Sequence, residues 1–340
     1  MYHGIINVYK EPGYTSHDVV ARLRGILKQK KIGHTGNAGS GGRRCASGMF
    51  RNGHKTVRYA GRPDKTYEAV LLLGCSTDTQ DTTGTILTEN REKALALDPE
   101  TAEKVILGFK GDYDQIPPMY SALKVDGKKL CDLARAGKEV ERKARRVQIL
   151  EISILNMELP RVSIRVTCSK GTYIRTLCDD IGRELGTGGC MEHLLRTRVD
   201  RFLVEDSLKL DEIEQLRDMD GLEEKIYTVE EALETYPAVY TLPEGDKNLK
   251  NGNPCFRQQL DLLRDGAPEV WEDGDRFRFY NSEGRFKGVY QYQEEKHWWK
   301  PGKCLTWIRI PLRGQPDHEI HRRYHRVSDY RTYDCNSGEI

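Results

Sequence analysis

Residues 161–186 read Arg161-Val-Ser-Ile-Arg-Val-Thr-Cys168-Ser-Lys170-Gly-Thr-Tyr173-Ile-Arg175-Thr-Leu-Cys-Asp-Asp-Ile-Gly-Arg-Glu-Leu-Gly186. Val162, Ile164 and Val166 alternate with polar residues, the period of a strand with one buried face. Ser169–Gly171 breaks that period. Thr172–Leu185 then reads as a helix that ends at Gly186. The same hand-over from strand to helix occurs at the start of the chain. Gly4–Lys10 is strand-like and Glu11-Pro12-Gly13-Tyr14 a turn. Thr15-Ser-His-Asp18 caps a helix running to about Lys30, with Val19, Val20, Leu23, Ile26 and Leu27 apolar. Tyr67–Gly74 reads as a buried strand, 98–110 as a capped helix, Val147–Leu155 as another strand, and 209–235 as two short helices. Strands and helices mixed in this way predict an α+β fold.

After Pro237 the texture changes. Turns crowd together at Asn251-Gly-Asn-Pro254, Asp273-Gly-Asp275 and Ser282-Glu-Gly284, with short strands between them, as in a small β-barrel. A boundary near 235–240 therefore separates a domain of 1–235 from a smaller one of 236–304. The 340 residues are ample for two such units. With 54 basic and 52 acidic side chains the net charge is +2, which excludes a histone-like polycation and says nothing for or against a basic face. No apolar run reaches the ~18 residues of a membrane helix. No signal-peptide pattern opens the chain. The nine cysteines include no Cys-x-x-Cys, so neither a zinc ribbon nor a redox motif is indicated, and the set fits reduced thiols in a cytoplasm.

Two segments break the pattern. Residues 37–62 carry six Gly, six Lys or Arg and no acid, with neither helical nor strand period. Residues 305–340 are rich in Arg, His and Tyr, again without period. An unstructured insertion of that length inside a compact domain is itself anomalous. Residues 37–62 also account for the basic excess: without them the chain is net acidic, by four charges.

Three stretches resemble the bacterial tRNA pseudouridine-55 synthases, the TruB family. The first is Gly4–Val20 followed by Lys31-Ile-Gly-His-Thr-Gly36. The second is Asp64-Lys-Thr-Tyr-Glu-Ala69 with Thr77-Asp-Thr-Gln-Asp-Thr-Thr-Gly84, continuing through Gln115-Ile-Pro-Pro-Met-Tyr-Ser-Ala-Leu-Lys-Val-Asp-Gly127 and Ala134-Arg-Ala-Gly137. The third is Cys168–Leu177 with Leu195-Arg-Thr-Arg198. Leu249-Lys-Asn-Gly252 and Gly288-Val-Tyr290 resemble the family's small PUA-like domain. The resemblance implies a pseudouridine synthase fold: a central, mostly antiparallel sheet flanked by helices, with the cleft across it. It also implies a cytoplasmic enzyme that isomerises a uridine of the tRNA T-arm loop, as a monomer with no protein partner. No metal or organic cofactor is implied.

The reaction breaks the base–sugar bond, turns the base and rejoins it through carbon. An Asp carboxylate serves as nucleophile. An Arg beside it holds it ionised and oriented, and a Tyr packs on the base near the proton to be removed. The uridine must first leave its stack. By resemblance Tyr67 is that Tyr and Arg175 that Arg. Tyr173 and Lys170 sit at the same turn and line the pocket. His34 helps to wedge open the RNA arm, and Lys10 matches the family's N-terminal Lys. Taken alone, Tyr67 reads as a core residue, Arg175 and Lys10 as solvated charges, and His34 as a turn histidine.

The nucleophile is missing. In the family Gly-His-Thr-Gly continues as Thr-Leu-Asp-Pro; here Gly36 is followed by Asn37-Ala-Gly-Ser40, which puts Gly39 at the catalytic position. The code AAC GCT GGA TCC GGA GGC for residues 37–42, read one base later, gives Thr-Leu-Asp-Pro-Glu. One coding of 45–60, shifted likewise, gives Ala-Leu-Pro-Val-Cys-Phe-Gly-Thr-Ala-Thr-Lys-Leu-Cys-Asp-Met-Leu, similar to the family's continuation. Two compensating frameshifts near Gly36 and Arg62 account for both. Residues 37–62 should then lack core packing, and the tail after Lys303 is a candidate for the same fault. The rival reading is a non-catalytic tRNA binder of the same fold, and the discriminator is a carboxylate near Arg175. Asp78 and Asp81 are nearest by motif, in a stretch that the resemblance treats as structural. That pair has no octahedral logic for Mg²⁺. A phosphate-cradling reading of Gly33–Gly42 fails for want of the Gly-Lys-Ser/Thr ending.

Overall fold

The computed structural model describes residues 2–11, 13–34, 64–264 and 270–302, together with the main chain of 43–50. Gly39, the rest of 37–62 and the tail 303–340 lie outside the described residues.

β1 (Gly4–Lys10) is buried almost throughout and leads into α1 (Ser16–Leu27). The Thr15 hydroxyl accepts from the Asp18 amide at 3.2 Å while the Asp18 carboxylate accepts from the Thr15 amide at 2.6 Å, the capping box read from the sequence. The helix stops three residues short of Lys30 because Lys28 turns left-handed at φ 48°. β2 (Ile32–His34) and β3 (Arg43–Phe50) follow. β3 corrects the expectation that 37–62 has no regular structure. All seven residues of β1 pair with it, from Gly4 opposite Phe50 to Lys10 opposite Arg44. The buried β1 cannot leave its amides unpaired, and the main chain of Arg43–Phe50 pairs with it along its whole length.

The next elements are β4 (Lys65–Leu73), the hairpin β5 (Cys75–Thr77) and β6 (Ile86–Glu89), then α2 (Arg91–Leu95), α3 (Pro99–Gly108) and β7 (Gly111–Gln115). After them come the hairpin β8 (Lys124–Val125) and β9 (Lys128–Lys129), α4 (Leu130–Arg135), β10 (Arg145–Glu158) and β11 (Arg161–Cys168). α5 (Ile174–Glu184), β12 (Gly189–Val199), β13 (Phe202–Leu203) and α6 (Leu210–Asp218) complete this part, with short 3-10 turns at 222–225 and 231–233 where a second helix was expected. The sheet runs β1-β3-β12-β4-β11-β10-β7, with β2 on β3 and β13 on β12. Every pairing is antiparallel except β3 with β12.

α5 explains how the cleft is built. Ile174, Leu177, Cys178 and Ile181 recur at helical spacing and are buried on the sheet with Tyr67, Ala69, Leu71, Ile164 and Val166. The approach is close: a Cβ at Gly182 would lie 2.1 Å from the amide nitrogen of Gly189 in β12. Only glycine permits that crossing, and it fixes how far along the sheet Arg175 stands. A second core joins α1, β1 and α6 through Val8, Val20, Leu23 and Ile213.

From Ala238 a separate five-stranded sheet forms, β14 (Ala238–Tyr240), β15 (Cys255–Phe256), β16 (Arg276–Tyr280), β17 (Phe286–Gln293) and β18 (Trp298–Pro301), in the order β14-β16-β17-β18-β15. The helix α7 (Asp246–Asn251) lies between β14 and β15 in the chain. This sheet has its own aromatic core, with Phe279, Tyr290, Tyr292 and Trp299 buried together.

Candidate active site

One ladder row crosses the main sheet through two of the expected site residues. Lys10 pairs with Arg44, Arg44 with Arg196, Arg196 with Tyr67, Tyr67 with Val166 and Val166 with Ile152. Directly opposed residues on antiparallel strands share a face, so Tyr67 lies with Val166 against α5, where the Ile174 side chain is part of the same cluster. Tyr67 is thus a core residue of the sheet face that α5 covers.

Arg175, the second residue of α5, is drawn into the protein rather than out to solvent. Its Nη1 donates to Oδ2 of Asp81 at 2.9 Å and to the Thr79 carbonyl at 3.4 Å. Its Nη2 donates to the Tyr120 carbonyl at 2.8 Å. A guanidinium held by one carboxylate and two carbonyls is fixed in plane and direction. The carboxylate sought near Arg175 is therefore Asp81. Its other oxygen accepts from the Thr79 hydroxyl at 2.8 Å, the Thr83 hydroxyl at 2.5 Å and the Thr83 amide at 3.1 Å. Burial disfavours its charge, but the hydrogen bonds from Thr83, Thr79 and Arg175 outweigh that and hold the Asp81 carboxyl below its ordinary value. So engaged, Asp81 is an anchor for Arg175 and a poor nucleophile.

The loop from Thr77 to Gly84 is built to present it. The Thr77 hydroxyl donates to the Asp81 carbonyl at 2.7 Å. The Met191 amide donates to the Gln80 carbonyl and the Thr82 amide to the Met191 carbonyl, at 3.0 and 3.1 Å, tying the loop to β12. Gln80 is left-handed, φ 62°, and its amide reaches α5: its oxygen accepts from the Thr176 hydroxyl at 2.7 Å, and its nitrogen donates to the Asp179 carboxylate at 3.1 Å. Asp179 is raised from its ordinary value by burial, against the pull of Arg183, whose guanidinium is 2.5 Å away. Gly84 closes the loop where a Cβ would fall 2.3 Å from both Asp78 Oδ1 and Thr79 Oγ1.

Tyr173 caps α5 through its main chain. Gln115, almost fully buried, accepts from the Tyr173 amide at 2.7 Å and donates to its carbonyl at 3.0 Å. The Gln115 amide also donates to the Tyr113 hydroxyl, which donates to Asp180 on α5, both at 2.7 Å. Lys170 is exposed on the preceding turn. His34 ends β2 and meets the ring of His17 edge-on, with centroids 4.9 Å apart. Lys10 lies wholly inside, its ammonium donating to the Tyr14 carbonyl at 2.7 Å, so it braces the turn between β1 and α1. Of the expected residues, Arg175 meets Asp81, Tyr173 stands at the start of the same helix and Tyr67 lies in the core that α5 covers; His34 and Lys10 belong to the α1–β2 corner. Among the described residues no cluster of His, Cys, Asp and Glu could hold a metal ion.

Residues 24–174 match the N-terminal domain of the TruB family of pseudouridylate synthases, and residues 175–234 the C-terminal domain of tRNA pseudouridylate synthase B. The chain is 44% identical over 317 residues to the tRNA pseudouridine synthase B of Lachnoclostridium phytofermentans, spanning 89% of this chain and 99% of that one. The chain belongs to the TruB family. It is also 41% identical to the tRNA pseudouridine synthase B of Staphylococcus aureus strain MSSA476, over 81% of this chain and 93% of that one. Among solved structures the fold is shared with an H/ACA RNP bound to a substrate RNA containing 2'-deoxyuridine, at a TM-score of 0.67 and 20% identity over 91% of this chain and 85% of that one. A Cbf5-Nop10-Gar1 complex gives 0.64 and 24%, over 85% and 78%. The main sheet with its helices is thus a pseudouridine synthase fold, and the five-stranded sheet is PUA-like. Arg175 is held by Asp81, and Gln80 ties the same loop to α5. The repeated Thr and Asp of Thr77–Gly84 were a sequence signal for Asp81; a left-handed Gln80 had none.

Proposed function

We propose that this chain is a tRNA-directed pseudouridine synthase scaffold that addresses the uridine at position 55 in the T-arm loop, and that, with Gly39 as its residue after Thr35-Gly-Asn-Ala38, it takes up the RNA without isomerising it. The observation that carries this is the fixed Arg175. Its guanidinium is oriented by Asp81, Thr79 and Tyr120 at the start of the helix that packs on Tyr67's face of the sheet, a fixed cation of the kind that a flipped uridine and an attacking carboxylate require. Asp81 cannot substitute as the nucleophile, because its oxygens already accept from Arg175, Thr79 and Thr83. In this reading Tyr173 and Lys170 line the entrance, His34 opens the RNA arm, and residues 236–304 extend the grip on RNA. Lys10, being buried, supports the corner without touching RNA. The protein acts as a monomer in the cytoplasm and uses no cofactor.

We further propose that 37–62 arose by two compensating shifts of reading frame. A well-ordered, buried 37–62 would count against that reading, and the strand Arg43–Phe50, paired along β1, weighs in that direction; the reading rests on the two shifted codings. The test is a tRNA pseudouridine assay on three proteins: this chain, its Gly39→Asp variant and a version with the frame of 37–62 restored. The first two should give no product, the variant because its flanking residues remain altered. The third should turn over. Gene sequence in which no one-base shift near codon 39 yields Asp would remove the frameshift account and leave the binding reading standing.

A further inference from the structure

From Val19 to Pro63 the chain has no acidic residue. The described part of that stretch forms the α1–β2 corner. There Arg22, Arg24, Lys28, Lys30 and Lys31 are all exposed. Among the described residues none of the five is within ion-pair distance of a carboxylate. Cations without a carboxylate partner among the described residues also occur elsewhere, Arg91, Lys104 and Lys110 among them, but here five fall within ten residues with no acid between them, whereas several arginines of this part of the molecule are paired. Arg161 pairs with Glu192 at 2.8 Å, Arg165 with Glu68 at 2.8 Å, Arg146 with Asp112 at 3.3 Å, and Arg183 with Asp179 and Asp180. On the neighbouring helix α6, two of the four acids, Glu214 and Asp218, are paired with Arg217. Asp18, the acid at the start of α1, is committed to Thr15 in the capping box. Two of the five cations have a local reason: Arg24 donates to the Ile32 carbonyl at 3.0 Å, and Lys28 follows the last turn of α1, where a cation suits the helix dipole. Arg22, Lys30 and Lys31 have neither.

We infer that this corner is a phosphate-binding surface for the RNA strand beside the target nucleotide. This rests on the tRNA reading above. Lys31 is three residues from His34 along an extended segment, about 10 Å at ~3.3 Å per residue, and β2 lies on the same side of β3 as β12, which carries Arg196 beside Tyr67. A phosphodiester backbone crossing from the cleft toward α1 would meet the cations in turn. Such contacts give affinity without sequence readout and release counterions, so their mark is salt dependence.

The experiment measures tRNA affinity of the full chain across a salt series and needs no catalysis. The triple variant Arg22→Ala, Lys30→Ala, Lys31→Ala should lower the magnitude of the log Kd against log salt slope by about 2 and weaken binding about tenfold or more at low salt. A control triple on α2–α3 and the turn after it, Arg91→Ala, Lys104→Ala, Lys110→Ala, should leave both within about twofold of the parent. Unchanged slope and affinity in the first triple would overturn the inference while leaving the tRNA reading intact. So would equal losses in both triples, which would reduce the effect to net charge. A parent chain that fails to bind tRNA at all would remove both.

Discussion

Two regions of the molecule were made by different rules. In one, the loop Thr77–Gly84, the 115–120 segment and the first turn of α5 hold Arg175 and Asp81 by side-chain hydrogen bonds, a left-handed Gln80 and a glycine that no other residue can replace without a clash. In the other, the 37–62 segment carries no acid and no period, and its described main chain, Arg43–Phe50, is a strand between β1 and β12. The first region depends on residue identity at nearly every position. The Arg175 site is assembled without the absent nucleophile, because Arg175 finds its counter-charge in Asp81.

That contrast can be broken or sharpened by substitution. Removing the cation should cost most. Arg175→Ala leaves a half-buried Asp81 carboxylate without its partner and should lower stability by about 3 kcal/mol, read by thermal or denaturant unfolding. Asp81→Asn should cost about 2 kcal/mol near pH 7. The sign of its pH dependence follows from the depressed carboxyl of Asp81. The stabilisation is complete above the ordinary carboxylate pKa of about 3.9 and is lost as pH falls through the lower folded value, so parent and variant should converge in acid. A gap that widened on acidification would show that the ion pair is not the source. Gly84→Ala, which must displace Asp78 and Thr79, should cost about 1–2 kcal/mol. Gln80→Ala, losing two side-chain bonds to α5 while keeping the main-chain ties to Met191, should cost about 1 kcal/mol and speed amide exchange across 77–84. The smallest effect belongs to the other region. Replacing 37–42 with a Gly-Ser stretch of equal length should change stability by less than about 0.5 kcal/mol. A loss there as large as that of Arg175→Ala would end the comparison.

What the sequence disclosed follows the same division. The Thr15–Asp18 cap, the alternation of Val162, Ile164 and Val166 and the apolar stripe around Arg175 are local patterns, and each became the element it announced. β3 was illegible because its strand is imposed by β1, which would otherwise bury unpaired amides. Two of the three acceptors that hold Arg175 were illegible for a related reason: the Thr79 and Tyr120 carbonyls are main-chain groups, which the residue type does not announce. Asp81 was within view as an acid in a Thr-rich motif, but its meeting with Arg175 spans 94 residues and needs the fold to bring them together. Lys10 reads as a surface cation by type and is wholly enclosed, because β1 is covered along nearly its whole length.

The most direct measurement of the central claim is pseudouridine formation in tRNA by this chain beside the version with the frame of 37–62 restored, at matched and saturating protein. The account predicts tRNA bound by both and product from the restored protein alone. Product from the chain with Gly39 in place would contradict it, and would mean that a carboxylate other than the missing Asp attacks the nucleotide.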